Sequence, residues 1–279
     1  MKYTLRHERL SGVLFVTILL LFLHGARAQT DCLEKGRQFF GGKNYKQAVM
    51  TLSKCENNPD AQRLLGLAYY ELNYMSDARE YLDKAMKAFP EEIGLKEKHA
   101  MSFARNRQFR RAVEEFRRLA KTYPKNRDIK RGLALSLGWN RDYDEAIGVY
   151  NKILKKDPED FESWIQVGVL TSWDKRFSEA AKIYKDIIAA NPPREYELDA
   201  RVHLGEVLSW MKKFDAAVAE YDKAIALDPK AVKAYLGKGR VLEWQGKYKG
   251  AIIVYERALQ ADSGNKDARA RLQQLMWVR

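Results

Sequence analysis

Four histidines and two cysteines are the side chains with which this sequence could ligate a metal or supply a nucleophile. His7 and His24 precede Ala28, where a leader peptide is predicted to be cleaved, so His99 and His203 remain. Neither has a second histidine at a metal-binding spacing, and no Gly-rich phosphate loop, nucleophile elbow or His-Glu-x-x-His pattern occurs. We expect His99 to pack or hydrogen bond rather than bind a ligand. We therefore expect no enzyme activity and no metal or cofactor.

Four tryptophans recur at a regular spacing and could bind a ligand. Trp139 and Trp173 are 34 residues apart, as are Trp210 and Trp244. A row of indoles suits a surface that stacks on sugars or peptides. The alternative is that each indole packs across to the corresponding helix, helix A, of the next repeating unit, because an aromatic residue at a fixed helical phase usually belongs to a core. Both interpretations can hold for the exposed edge of one ring.

Positive charge is concentrated around Arg105, Arg107, Arg110 and Arg111. Residues 93–126 contain ten Lys or Arg and three Glu, whereas the preceding 34 residues contain four basic and seven acidic residues. Guanidinium groups bind carboxylates and phosphates through paired hydrogen bonds, so these four arginines are a candidate anion-binding patch. An ordinary solvated surface, paired in part with its acidic neighbour, is the alternative.

The N-terminal residues 1–28 predict secretion. Basic residues precede an apolar run over 13–23, and the small-x-small pattern of a cleavage site follows at 26–28. Because a bilayer-spanning helix needs about 20 apolar residues, we expect cleavage after Ala28 and no transmembrane segment afterwards. The predicted location is secreted, in the periplasm, with association with the outer membrane also open.

The chain is strongly basic, with a formal charge of +13. Removing 1–28 takes away four Lys or Arg and one Glu, so the mature chain stays basic. This balance favours acidic partners such as anionic polysaccharide or lipid head groups. Nucleic acid is not expected as a partner of a secreted protein.

A pattern of small residues, large residues and prolines repeats along the chain. A small residue is followed twelve residues later by alanine, four further on by a large residue, and twelve after the alanine by proline in most units. The small pairs are Gly66 and Ala78, Ala100 and Ala112, Ala134 and Ala146, Gly168 and Ala180, Gly205 and Ala217, and Gly239 and Ala251. The large residues are Leu82, Phe116, Tyr150, Tyr184, Tyr221 and Tyr255. This pattern resembles the tetratricopeptide repeat (TPR), in which a period of 34 residues encodes helix A, a turn and helix B.

The resemblance implies an all-α fold, a right-handed TPR superhelix (α-solenoid) of about seven helical hairpins. Small residues let the two helices approach closely, the large residue fills the space beside them, and proline ends helix B. A capping helix is predicted over 266–279, with Leu272 and Met276 on its inner face. Its polar outer face is predicted to carry Arg269, Arg271, Gln273, Gln274 and Arg279. The solenoid is predicted over 29–265, with a divergent first hairpin at 29–58, repeats at 59–92, 93–126, 127–160, 161–194, 198–231 and 232–265, and a three-residue insertion at 195–197.

The same numbering places Cys32 and Cys55 opposite each other in the first hairpin. They occupy repeat positions 4 and 27, and these positions have the same sum as other contacting pairs of an antiparallel hairpin. An oxidising compartment favours disulfides. We therefore predict a Cys32–Cys55 disulfide, with two buried free thiols as the alternative.

The tryptophan motif has a narrower resemblance. Leu-Ser-Trp at 208–210, with variants at 171–173 and 137–139, resembles the periplasmic repeat regions of YaiO-type outer-membrane proteins and of exopolysaccharide export proteins. No β-barrel of the kind that follows in those families is expected in this chain.

Two functions follow from these resemblances. Helix A lines the inner, concave face of a TPR superhelix, so the four indoles are predicted to line that groove. The first interpretation is a non-catalytic protein–protein interaction scaffold in the bacterial cell envelope, with a regulatory subunit of an envelope enzyme as an inseparable variant. The alternative is a carbohydrate-binding accessory protein of exopolysaccharide export or assembly, with anionic or neutral polysaccharide as its partner.

Overall fold

A computed structural model describes residues 30–276 of the chain, so the predicted leader at 1–28 lies outside the described residues. Over 30–276 the regular structure is helical throughout and contains no strand. The helices are α1 (30–41), α2 (Tyr45–Leu52), α3 (Pro59–Glu71), α4 (Met75–Ala88), α5 (Ile93–Arg105), α6 (Phe109–Thr122), α7 (Arg127–Trp139), α8 (Tyr143–Leu154), α9 (Phe161–Trp173), α10 (Phe177–Ala189), α11 (Arg194–Trp210), α12 (Phe214–Leu227), α13 (Val232–Trp244), α14 (Tyr248–Ala261) and α15 (Lys266–Met276).

Consecutive helices pair into hairpins, with odd-numbered helices as helix A and even-numbered helices as helix B. The seven pairs run from α1 with α2 to α13 with α14, and α15 follows as a terminal helix. The prediction of an all-α repeat fold of about seven hairpins and a terminal helix is confirmed. The helices divide into two compact units, the first ending at Gly132 and the second beginning at Leu133, within α7.

In three hairpins of the second unit, α9–α10, α11–α12 and α13–α14, a glycine of helix A faces a buried tyrosine of helix B. A Cβ atom added at Gly168 would lie 2.7 Å from Cε1 of Tyr184, and one added at Gly205 would lie 2.8 Å from Cε1 of Tyr221. Both tyrosines are almost completely buried. The tyrosine ring therefore occupies the space that a larger side chain in place of each glycine would need.

The insertion at 195–197 lengthens a helix instead of forming a loop. These residues lie in the first turn of α11, which has 17 residues, whereas α9 and α13 have 13 each. Pro193 precedes this added turn and cannot itself continue helix α10. The insertion thus leaves the spacing of the downstream hairpin intact.

The divergent first hairpin is closed by a disulfide. Its helix B, α2, has only eight residues and is followed by a short 3₁₀ turn over Ser53–Cys55. Cys32 and Cys55 are bonded, with their Cα atoms 6.4 Å apart, and both are buried in a cluster with Ala48 and Leu52. The bond joins the beginning of α1 to the end of the hairpin.

Reducing the Cys32–Cys55 bond is expected to open the first hairpin. The bond closes a loop with a sequence separation of 23 residues, and loop entropy of this length corresponds to about 3 kcal/mol. Hydrogen exchange of the α2 amides should therefore accelerate on the order of a hundredfold under reducing conditions. Amides of α13 and α14 serve as the internal control, and equal protection of α2 in both states would contradict the role of the bond.

Substitution of Gly168 by alanine is expected to destabilise the second unit. The new methyl group would overlap the Tyr184 ring, which is fully buried and cannot move aside, at a cost of about 1–3 kcal/mol. Gly148 in α8 is the matched control, because nothing lies within 4 Å of an added Cβ there. Gly148→Ala should raise the free energy of unfolding by about 0.5–1 kcal/mol. Urea denaturation followed by circular dichroism measures both, and equal effects would exclude the proposed overlap.

Candidate functional site

The four tryptophans lie at the hairpin turns of the second unit. Each is the last residue of its helix A, in α7, α9, α11 and α13. Trp173, Trp210 and Trp244 are 45%, 46% and 55% exposed, although each is a large apolar side chain. The indoles therefore form a row along the turn edge of this unit.

Two of these indoles also pack against the preceding hairpin. The ring of Trp210 lies 5.6 Å from that of Phe177, and the ring of Trp244 lies 6.2 Å from that of Phe214. Phe177 and Phe214 are the first residues of α10 and α12. The packing contact is thus with helix B of the preceding repeat, whereas the sequence suggested helix A of the next one. About half of each indole remains accessible to a ligand.

The four arginines of the candidate anion-binding patch differ in their contacts. The guanidinium of Arg105 lies 4.0 Å from the centre of the Tyr70 ring, and its Nη1 donates a hydrogen bond of 3.1 Å to the Tyr70 carbonyl. Arg105 therefore packs on its own fold. Among residues 30–276, neither Arg107 nor Arg110 forms an ion pair, and both are exposed. Arg111 is exposed and donates a long hydrogen bond to Gln108.

Both remaining histidines pack against neighbouring side chains. Nε2 of His99 lies 3.2 Å from Oδ1 of Asp83, and burial lowers the pKa of His99 despite this carboxylate. Nδ1 of His203 lies 3.1 Å from a carboxylate oxygen of Glu206, and its ring stacks on Tyr184. Over the described residues, no three His, Cys, Asp or Glu side chains are placed to hold a metal ion. None of the described helices has the length and apolar character needed to cross a membrane.

A pocket that the sequence analysis missed lies between the last hairpin and α15. Its volume is about 370 Å³. It is lined by Leu236 and Arg240 of α13, Tyr255 of α14, and Asp267, Ala270, Arg271 and Gln274 of α15. Arg271 and Gln274, predicted on the polar outer face of the cap, are exposed and also line this open pocket, whereas α15 buries Ala268 and Leu275.

The two arginines of the pocket have only loose internal partners. Nη2 of Arg240 lies 3.9 Å from Oε1 of Glu206, and Nη1 of Arg271 lies 3.7 Å from Oε2 of Glu243. Both distances exceed that of a charge-assisted hydrogen bond, about 2.7–2.9 Å. The guanidinium N–H groups are therefore available to an incoming oxygen ligand.

Tyr255, which lines the pocket, holds the side chain of Glu243. Its hydroxyl donates a hydrogen bond to Oε1 of Glu243. Burial, followed by this hydrogen bond and the charge of Glu243, raises the pKa of Tyr255, so the phenol stays neutral. Glu243 is consequently held by Tyr255 on one oxygen and faces Arg271 with the other.

One signal in the sequence could have identified Arg240. It is the ninth residue of its repeat, where most earlier repeats carry an apolar side chain. The equivalent residues are Leu67, Met101, Leu135, Val169 and Glu206. Replacement of an apolar side chain by a cationic one at the same helix-A position indicates a surface that is particular to this repeat. The pairing with Arg271 could not be read from the sequence, because it depends on how α15 packs on α14.

Comparison with known proteins agrees with this architecture. The sequence profile of the tetratricopeptide repeat matches residues 50–93, 97–161 and 211–266, more than half of the chain. No curated protein sequence matches the chain significantly.

Solved structures with this arrangement of helices include two TPR proteins. A tetratricopeptide repeat protein from Parabacteroides merdae superposes with a TM-score of 0.70 at 16% identity, covering 90% of this chain and 99% of that one. The C-terminal part of a TPR repeat-containing protein from Cytophaga hutchinsonii gives a TM-score of 0.58 at 15% identity, covering 86% and 99%. At these identities the likeness concerns the fold alone. Because the repeat profile covers most of the helical hairpins, the chain belongs to the tetratricopeptide repeat family.

Proposed function

We propose that this protein is a non-catalytic scaffold of the bacterial cell envelope that binds a partner protein through the pocket between α13 and α15. TPR folds act as protein-interaction scaffolds, so a binding role is the coarse expectation for the family. The leader pattern at 1–28 and the Cys32–Cys55 disulfide support an oxidising compartment outside the cytoplasm.

The single observation that carries the proposal is the pair of loosely held guanidinium groups. Arg240 and Arg271 line one pocket, and each is about 45% exposed on its side chain. A carboxylate of the partner, from an acidic side chain or a chain terminus, can accept hydrogen bonds from both. Such charge-assisted bonds are roughly twice as strong as neutral ones.

The other lining residues suit a peptide segment. Leu236 and Ala270 supply an apolar surface for the aliphatic part of the partner residue, and Gln274 can donate to or accept from its backbone. Asp267 at the same pocket disfavours a second negative charge, so the segment should present one carboxylate. The pocket thus combines a charged anchor with an apolar lining, as peptide sites commonly do.

The change Arg240→Ser with Arg271→Ser is expected to weaken partner binding strongly while the repeats stay folded. Each arginine contributes a hydrogen bond to a charged group, about 1.5–3 kcal/mol, so the double variant should recover the partner at least tenfold less well. The measurement is quantitative mass spectrometry of proteins cross-linked to the tagged chain in its native envelope.

Arg257→Ser provides the matched control. Arg257 is exposed on α14, does not line the pocket and forms no ion pair within the described residues. It should leave partner recovery unchanged, and circular dichroism should show equal melting of all variants. A partner retained equally by the double variant and the control would exclude the pocket as its binding site.

A further inference from the structure

The last two hairpin turns of the second unit carry exposed aromatic side chains. Trp210, Trp244 and Tyr248 are 46%, 55% and 45% exposed. Exposed aromatic residues that lie together usually mark a binding surface. We name the surface formed by Trp210, Lys212, Lys213, Trp244, Lys247, Tyr248 and Lys249 the Trp–Lys edge.

The two indoles of this edge each pack against a phenylalanine of the preceding repeat. Trp210 packs on Phe177 and Trp244 packs on Phe214, with interplanar angles near 45°. The two neighbouring turns are also joined directly, because Nε2 of Gln245 donates a 3.0 Å hydrogen bond to Oδ1 of Asp215. The two indoles of the edge are therefore preorganised for a ligand.

Positive charge accumulates at these two turns. Residues 211–216 and 245–250 contain four lysines and one acidic residue, Asp215. By contrast, the earlier turn at 140–145 contains one basic and three acidic residues. Among the described residues, none of the four lysines forms an ion pair, and all four are exposed.

We propose that the Trp–Lys edge binds an acidic polysaccharide. The C–H face of a pyranose ring stacks on an indole, and the carboxylates that recur along such a polymer can pair with lysines on two successive turns. Lysine suits this role because its ammonium is a flexible point charge that follows a variable anion position. This site lies outside the Arg240 pocket and does not depend on the proposed protein partner.

The geometry favours a polysaccharide over an anionic membrane surface. Membrane-anchoring tryptophans insert their rings among lipid head groups. Here each indole is about half covered by its own protein and offers only part of its surface. A partly covered, fixed ring is a stacking platform for a flat ligand.

Titration of the full-length protein with alginate, monitored by tryptophan fluorescence, tests the proposal. Alginate should change the fluorescence, neutral dextran should not, and added salt should weaken binding because exposed ion pairs are screened. Trp244→Ala should weaken alginate binding roughly tenfold, as loss of one stacking platform does for other ring ligands. Lys247→Ser with Lys249→Ser should weaken it roughly fivefold.

Two controls separate this site from general charge effects and from the pocket. Lys182→Ser with Lys185→Ser removes the same charge from the exposed surface of α10, and the Arg240→Ser, Arg271→Ser variant disables the pocket. Both should bind alginate as the unmodified protein does. Equal weakening by the Lys182 and Lys185 changes, or binding to phosphatidylglycerol vesicles without binding to alginate, would overturn the proposal.

Discussion

The close approach of helices A and B, with a glycine against a buried tyrosine, is the constraint on which the second unit depends. Gly168 and Gly205 leave space for the rings of Tyr184 and Tyr221, and those rings fill the interior that a thin layer of helices otherwise lacks. Once this spacing is set, each hairpin presents the same two surfaces. One is the side of helix A, and the other is the turn between the helices.

The two candidate sites use these two surfaces at the same end of the chain. The pocket forms where α13 and α15 leave a gap lined by Arg240 and Arg271. The Trp–Lys edge forms where α11 and α13 end. Both sites are departures from the repeat. One has a cation at a position that is apolar in most repeats, and the other has a cluster of exposed lysines. A repeat fold acquires specificity where its units differ.

Much of the fold could be predicted from the sequence because its contacts are local. The spacing of Gly168, Ala180 and Tyr184 encodes a hairpin within one repeat, so the pattern itself specifies the contact. The two sites were harder to predict because the residues that contact their side chains come from other repeats. The sequence predicted Arg105 as part of a charged patch. In the structure it packs on Tyr70, a residue 35 positions earlier. The position of Arg271 depends on α15, whose short helix carries no repeat pattern of its own.

The disulfide ties together the first hairpin alone. Cys32 and Cys55 close their loop without any residue that follows them, so the first hairpin can become covalently fixed while the rest of the chain is still emerging. Helix α3 of the second hairpin then has a fixed surface on which to pack, since neighbouring repeats supply much of each other's core. A partner bound in the pocket would likewise tie α15 to the hairpin before it, because a ligand that binds only the folded state stabilises that state.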